Sequence, residues 1–195
     1  MAAPDARNVA AAKPFAGGGN FWAPADTPLP VDAITALDAA FKPLGYVSDD
    51  GIQPSRETNI EKKTAWGGDV VAALLADESR SFEFTLWEVF YDEVQKFVHG
   101  AENVVVTAAT STSGTQTSIV DKGGKRPNVV LVFDIVHAAK RRRLVVGNAD
   151  YNVTGELPFV DNDLSGYTVT VEAIKDSTGA RVHEYLVQDN KLATP

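Results

Sequence analysis

Residues 81–88 alternate strictly. Phe82, Phe84 and Leu86 point one way, and Ser81, Glu83, Thr85 and Trp87 the other. A period of two is that of a β-strand with one buried face. A helix cannot use it, because helical faces recur every three to four residues. Further strand runs cover 57–65, 70–75, 103–107, 115–120, 128–139, 144–152, 167–174 and 181–187. The run 70–75 is apolar throughout, and Gly67-Gly68 and Asp77-Glu78-Ser79 bound it tightly, which reads as a strand. Residues 44–47 are strand-like, and 48–51 have the composition of a turn. So many strands predict a mainly β fold, a β-sandwich or small barrel.

Two short helices interrupt this pattern. Over 90–99, Phe90, Val94, Phe97 and Val98 make one apolar stripe, and Gly100 is a natural stop. Asp92 and Glu93 near its start and Lys96 and His99 near its end suit the helix dipole. Over 32–41, Ile34, Leu37 and Phe41 have helical spacing, Asp32 is a candidate N-cap and Pro43 closes the segment. Residues 1–19, rich in Ala with a Gly17-Gly18-Gly19 triplet, read as a flexible N-terminal arm. Phe21 and Trp22 are the first core anchors of a single β domain over 20–195.

Composition narrows the chemistry. The 195 residues contain no cysteine and carry a net charge of −8. Disulfides, cysteine nucleophiles and cysteine-based metal sites are excluded. A globally basic nucleic-acid binder is disfavoured, since duplex binding is largely phosphate neutralisation. No run approaches the roughly 18 apolar residues that span a bilayer, and no basic start with an apolar stretch marks a secretory signal. A soluble protein made in a cytoplasm is the expectation.

Few motifs carry chemistry. Asp161, Asp163, Ser165, Gly166 and Glu172 occupy positions 1, 3, 5, 6 and 12 of the calcium-loop pattern. The stretch leading to Glu172 is strand-patterned, so Glu172 lies about 20 Å from Gly166 and cannot wrap back. A polar turn is the better reading. His99, His137 and His183 form no ligand pair at helical spacing. No nucleophile elbow appears, and Gly123-Gly124-Lys125 is not a phosphate loop. No enzyme, metal or cofactor is predicted. The basic cluster Lys140-Arg141-Arg142-Arg143 falls between two strand runs, as a turn or its edge. It is either a solvated, edge-protecting turn or a contact for acidic groups on a neighbour. Glu57, Glu61, Glu83 and Glu88 lie in or beside strand patterns, opposite apolar residues. They form either a solvated face or the acidic inner surface of a closed assembly.

The order of segments resembles the major tail (tail tube) proteins of long-tailed, non-contractile bacteriophages, particularly of actinobacterial hosts. The residues that carry it are Leu44-Gly45-Tyr46-Val47-Ser48-Asp49-Asp50-Gly51, Ala65-Trp66-Gly67-Gly68-Asp69 and Phe82-Glu83-Phe84-Thr85-Leu86-Trp87-Glu88. Arg142-Arg143-Leu144-Val145-Val146, Gly155-Glu156-Leu157 and Ser165-Gly166-Tyr167-Thr168-Val169-Thr170-Val171 follow in order. The resemblance implies a helix-flanked β-sandwich whose copies close into hexameric rings around a continuous inner barrel. Stacked rings form the tube through which the genome leaves, a virion tail assembled in the host cytoplasm. Tape measure and tail terminator proteins are the implied partners, and DNA passes without binding. Glu57, Glu61 and Glu83 are the lumen candidates, and Arg141, Arg142 and Arg143 the ring–ring contact candidates. The chain ends without the immunoglobulin-like domain some members append, so no exterior decoration is expected. Two other readings stand beside this one. One is a monomeric β-sandwich adhesin or ligand-binding module using Trp22, Trp66 or Trp87 as its platform. The other is a bacterial effector-secretion ring protein with the same ring logic.

Overall fold

The computed structural model describes residues 5–6, 9–15 and 18–188. Among the described residues, eleven strands and one α-helix follow in chain order. They are β1 (Lys13–Pro14), β2 (Asn20–Pro24), β3 (Lys42–Pro43), β4 (Gln53–Thr64) and β5 (Val70–Leu86). Then come α1 (Asp92–His99), β6 (Val104–Thr107), β7 (Gln116–Ile119), β8 (Val129–His137), β9 (Lys140–Thr154), β10 (Tyr167–Ala173) and β11 (His183–Val187). The fold is mainly β, consistent with the β-sandwich that the strand patterning predicts.

The main sheet runs β3-β2-β8-β9-β10-β5-β4, with β1 on β8 and β11 on β9. β9 is its corner. Its first half pairs with β11 and its second half with β10 on the same edge. The change happens at a bulge. Val129 pairs with Ala149 but Leu131 with Val146, so β9 holds one extra residue there. The extra residue flips the alternation. Leu144 and Val146 face the main core before the bulge, and Ala149 and Tyr151 after it. A regular strand could not direct both sets inward.

The main core joins Phe82, Phe84 and Leu86 of β5 to Leu131 and Phe133 of β8, Val169 and Val171 of β10, and Val94, Phe97 and Val98 of α1. A smaller cluster of Ala23, Phe41, Val130, Val132 and Val145 lies on the other face of β8 and β9. Both strands are therefore covered on two sides, which explains their unbroken apolar runs. A second sheet, β6-β7, lies beside α1, where Thr117 Oγ1 donates to Asp92 Oδ1 at 2.7 Å.

Several sequence expectations need correction. Residues 32–41 form no helix. Asp32 does cap, its Oδ1 accepting from the amides of Ile34 and Thr35 at 2.7 and 2.6 Å. The carbonyls of Asp32 and Thr35, however, accept from Arg143 Nη1 at 3.0 and 2.9 Å. The guanidinium occupies acceptors that a growing helix would use. The helix over 90–99 begins at Asp92, and Phe90 lies outside it, exposed. Gln95 takes a place on the buried face instead. Asp77-Glu78-Ser79 does not end the strand. These residues pair with Asn59, Thr58 and Glu57, and a bulge beyond Asn59 absorbs the irregularity. The run 70–75 and residues 81–86 of the second run thus belong to one 17-residue strand. The basic cluster takes the second of its two expected placements, the edge of a turn. The β8–β9 turn is Ala138-Ala139, and Lys140 to Arg143 are already strand. In the expected arm, Lys13 and Pro14 pair with Val136 and Ile135.

Candidate assembly surfaces

β4 and β5 make a long two-stranded ribbon projecting from the sandwich. Apart from Pro54 and Ile60, β4 is built of polar and charged residues, and Gly67 and Gly68, both with positive φ, make the turn at its tip. All 12 residues of β4 are exposed. β4 ends the strand order, so its outer edge is unpaired among the described residues. Ile60, Val70, Val71, Leu74 and Leu75 stand exposed on this ribbon, with Trp66 at the tip. An open strand edge beside an exposed apolar cluster is a template for pairing with another chain.

Registered neighbours on adjacent strands share a face. One row runs Asn152, Thr170, Glu83, Gln53 across β9, β10, β5 and β4. The next runs Asp150, Glu172, Ser81, Ser55. Thr85 and Thr168 are bonded at 3.1 Å and Thr154 and Thr170 at 3.2 Å, so the face is hydroxyl-rich. Phe82 and Phe84 point the opposite way, into the core. Glu57 and Glu61 sit at β4 positions of the same parity as Gln53 and Ser55, so the register brings them onto the face of Glu83.

Sequence reasoning missed Glu172 and Asp150 on this surface. Glu172 stands near the end of β10 beside Glu83's row, opposite Asp150 and Ser81. Its alternation with Val169, Val171 and Ala173 was the available signal. Asp150 is paired with Lys125 at 2.8 Å. The loop that suggested calcium lies at the other end of β10, where Ser165 Oγ donates to the Pro158 carbonyl and Asp163 accepts from the Leu164 amide.

The three arginines have three different fates. Arg141 lies 3.9 Å over the ring of Phe15. Arg142 pairs with Glu184 of β11 at 2.6 Å and is half exposed. Arg143 is 3% exposed and makes a two-pronged contact with Asp134, Nε to Oδ1 at 2.6 Å and Nη2 to Oδ2 at 2.8 Å. A guanidinium so enclosed is an internal fastener, so Arg143 leaves the set of open contact cations. Of the three tryptophans expected as a platform, Trp66 is exposed at the ribbon tip and Trp22 is not available. Trp22 packs its ring 5.7 Å from Phe97 and belongs to the core edge.

Ionisable groups with shifted affinities belong to turns and core. Burial pushes the Tyr151 hydroxyl up to about 12, and it donates to the Phe97 carbonyl at 2.7 Å. Burial lowers His99. Burial raises the Asp176 carboxyl, yet hydrogen bonds from Thr178, His183 and the Thr178 and Ala180 amides outweigh it and hold the group at about 2.

A β-sandwich with an open-edged ribbon, an apolar patch and an acid-and-hydroxyl face defines a subunit built to associate with other strands. The chain belongs to the phage tail tube protein family, whose model matches residues 7–195. It is a structural tail tube protein, a component of the virion tail that self-assembles into a tube. No curated protein matches the chain.

Proposed function

We propose that copies of this chain close into hexameric rings whose β4–β5 ribbons form a continuous inner barrel, and that stacked rings make the conduit for genome ejection in a long-tailed, non-contractile phage. The observation that carries this reading is the β4–β5 ribbon, with its free edge and exposed Ile60, Val71, Leu74 and Leu75. Ring closure gives each open edge a neighbour and covers apolar residues on the face away from Glu61, where Ile60 and Leu75 pair. Glu57, Glu61 and Glu83, joined by Glu172, line the bore. Carboxylates there repel phosphate, so DNA passes without binding. Arg141 and Arg142 contact acids of the next ring. Residues 1–19 serve as an arm of the single domain 20–195, pinned to its sheet where Lys13 and Pro14 pair with β8. The tape measure protein occupies the bore during assembly in the host cytoplasm, and a terminator closes the tube.

Electron microscopy of the purified chain tests this. Rings or tubes of uniform bore and sixfold symmetry are expected, and featureless monomers at high concentration would overturn it. Replacement of Glu83 by Gln leaves assembly intact and slows or traps DNA in ejection assays. Unchanged ejection kinetics would remove Glu83 from the lumen.

A further inference from the structure

A cationic pocket of about 320 Å³ lies where β4, β5 and the end of β10 meet β11. Arg56, Arg80, Lys175 and Arg181 line it, against the two carboxylates Glu78 and Glu184. Both carboxylates are already engaged, Glu78 with Arg56 at 2.5 Å and Glu184 with Arg142 at 2.6 Å. Arg181 donates to the Ala173 carbonyl. Arg80 Nε is buried without a hydrogen-bond partner. A concentration of positive charge on a chain of net charge −8, holding an unsatisfied guanidinium nitrogen, calls for a carboxylate.

The same chain presents a matching ligand. Between β9 and β10, Asp161 and Asp163 are exposed, flanked by exposed Phe159, Val160 and Leu164. No ion pair engages either aspartate among the described residues, and Asp163 accepts only from the adjacent Leu164 amide. This loop precedes Tyr167, and the pocket follows Ala173, so the two lie at opposite ends of β10. Seven residues of strand put them about 20 Å apart. A subunit cannot fill its own pocket with its own loop. A second copy displaced along the strand direction can. Contact between unlike ends is heterologous, and a copy displaced along the strand direction, with no closing rotation, propagates it as a filament.

We infer that the Asp161–Asp163 loop of one copy inserts into the Arg56/Arg80/Lys175/Arg181 pocket of the next copy along the tube. This rests on the tube assembly proposed above and adds the contact that stacks its rings. Asp161 and Asp163 meet Arg80 and Lys175, and the neighbouring Phe159 and Leu164 lose water against the pocket rim.

Charge reversal and its compensation test the contact. Lys175 is exposed, so Lys175→Glu tests the pocket without burdening the fold, and Arg80→Glu/Lys175→Glu extends it. The partner variant is Asp161→Lys/Asp163→Lys. Tube formation is followed by sedimentation and electron microscopy at low and high salt. Each reversal raises the concentration needed for tubes by about tenfold or more, while single rings persist, and the effect shrinks with added salt. Carrying both reversals in one chain restores tubes, the signature of direct coupling. Circular dichroism identifies any variant that fails to fold, and Lys175→Glu with Asp163→Lys then supplies the compensation arm. Wild-type chain that forms no assembly overturns this inference together with the tube reading. Wild-type tubes with variants that also form tubes overturn this inference alone. So does loss of tubes that the combined reversal fails to restore.

Discussion

Arg143 and Asp134 face each other across the β8–β9 hairpin in register, and their side chains lock in a buried, two-pronged ion pair. The remaining guanidinium nitrogen holds the carbonyls of Asp32 and Thr35. One residue thus fastens a hairpin to a loop more than a hundred positions away in sequence. Removing one partner strands the other charge in the interior. Asp134→Asn is expected to cost about 3–5 kcal/mol in denaturant unfolding. Arg143→Met with Asp134→Leu recovers most of that loss, yet leaves residues 31–41 unpinned. Faster amide exchange there, without lower global stability, is the distinguishing measurement.

Tyr151 closes the C-terminal end of α1. Its ring stacks on Phe97 with centroids 4.3 Å apart, and its hydroxyl takes the Phe97 carbonyl. Tyr151→Phe keeps the stack and loses the bond, at about 1–3 kcal/mol because a buried carbonyl is orphaned. Phe97→Ala is expected to cost about 3–5 kcal/mol through the cavity it leaves. Thermal unfolding of the two variants separates the contributions.

Gly18 approaches the chain at Gly45 closely. Its φ is 90°, and a Cβ there would lie 1.9 Å from the Gly45 carbonyl oxygen. Gly179 has nearly the same φ, 84°, but open space around it. Gly18→Ala is therefore expected to cost at least about 2 kcal/mol, and Gly179→Ala about 1 kcal/mol. Equal losses in urea titrations would refute the steric account.

Asp176 sets an acid limit on the turn before β11. Its carboxyl sits at about 2 against an ordinary 3.8. A folded-state value below the unfolded one stabilises the protein above the unfolded value. That contribution fades as pH falls from 3.8 toward about 2. Asp176→Asn should therefore lower Tm at pH 5 and narrow its difference from wild type at pH 2.5. A constant difference across this range would exclude the linkage.

Leu75 lies exposed on the ribbon. Leu75→Glu is expected to leave monomer stability within about 0.5 kcal/mol, since the side chain is not in the core. It should abolish ring closure, read by analytical ultracentrifugation. Normal rings would take the apolar patch out of the interface.

Much of this architecture is legible in local pattern. The alternation of 81–88 placed Phe82, Phe84 and Leu86 in the core and Glu83 on the other face. The charges and Gly100 marked α1 to within two residues. The acid-bearing face was only half visible. Glu83 declares itself by alternation, whereas Glu172 joins it through pairing between strands some ninety residues apart in sequence. The basic cluster was misread as one feature, because four like charges in a row look equivalent until a fold gives them different neighbours.

The amino-acid sequence by itself determined the class of fold, the positions of most strands, and an assembly without disulfides. Periodicity and composition are local properties, set by how each backbone disposes its own side chains. Only the tertiary structure decided that 70–86 is one strand, that 32–41 is no helix and that Arg143 lies inside. Those outcomes depend on partners distant in sequence. The strand across from Asp77 supplies the ladder, and the Arg143 guanidinium takes the carbonyls that a helix would have needed. A buried charge is stable only where Asp134 is there to meet it.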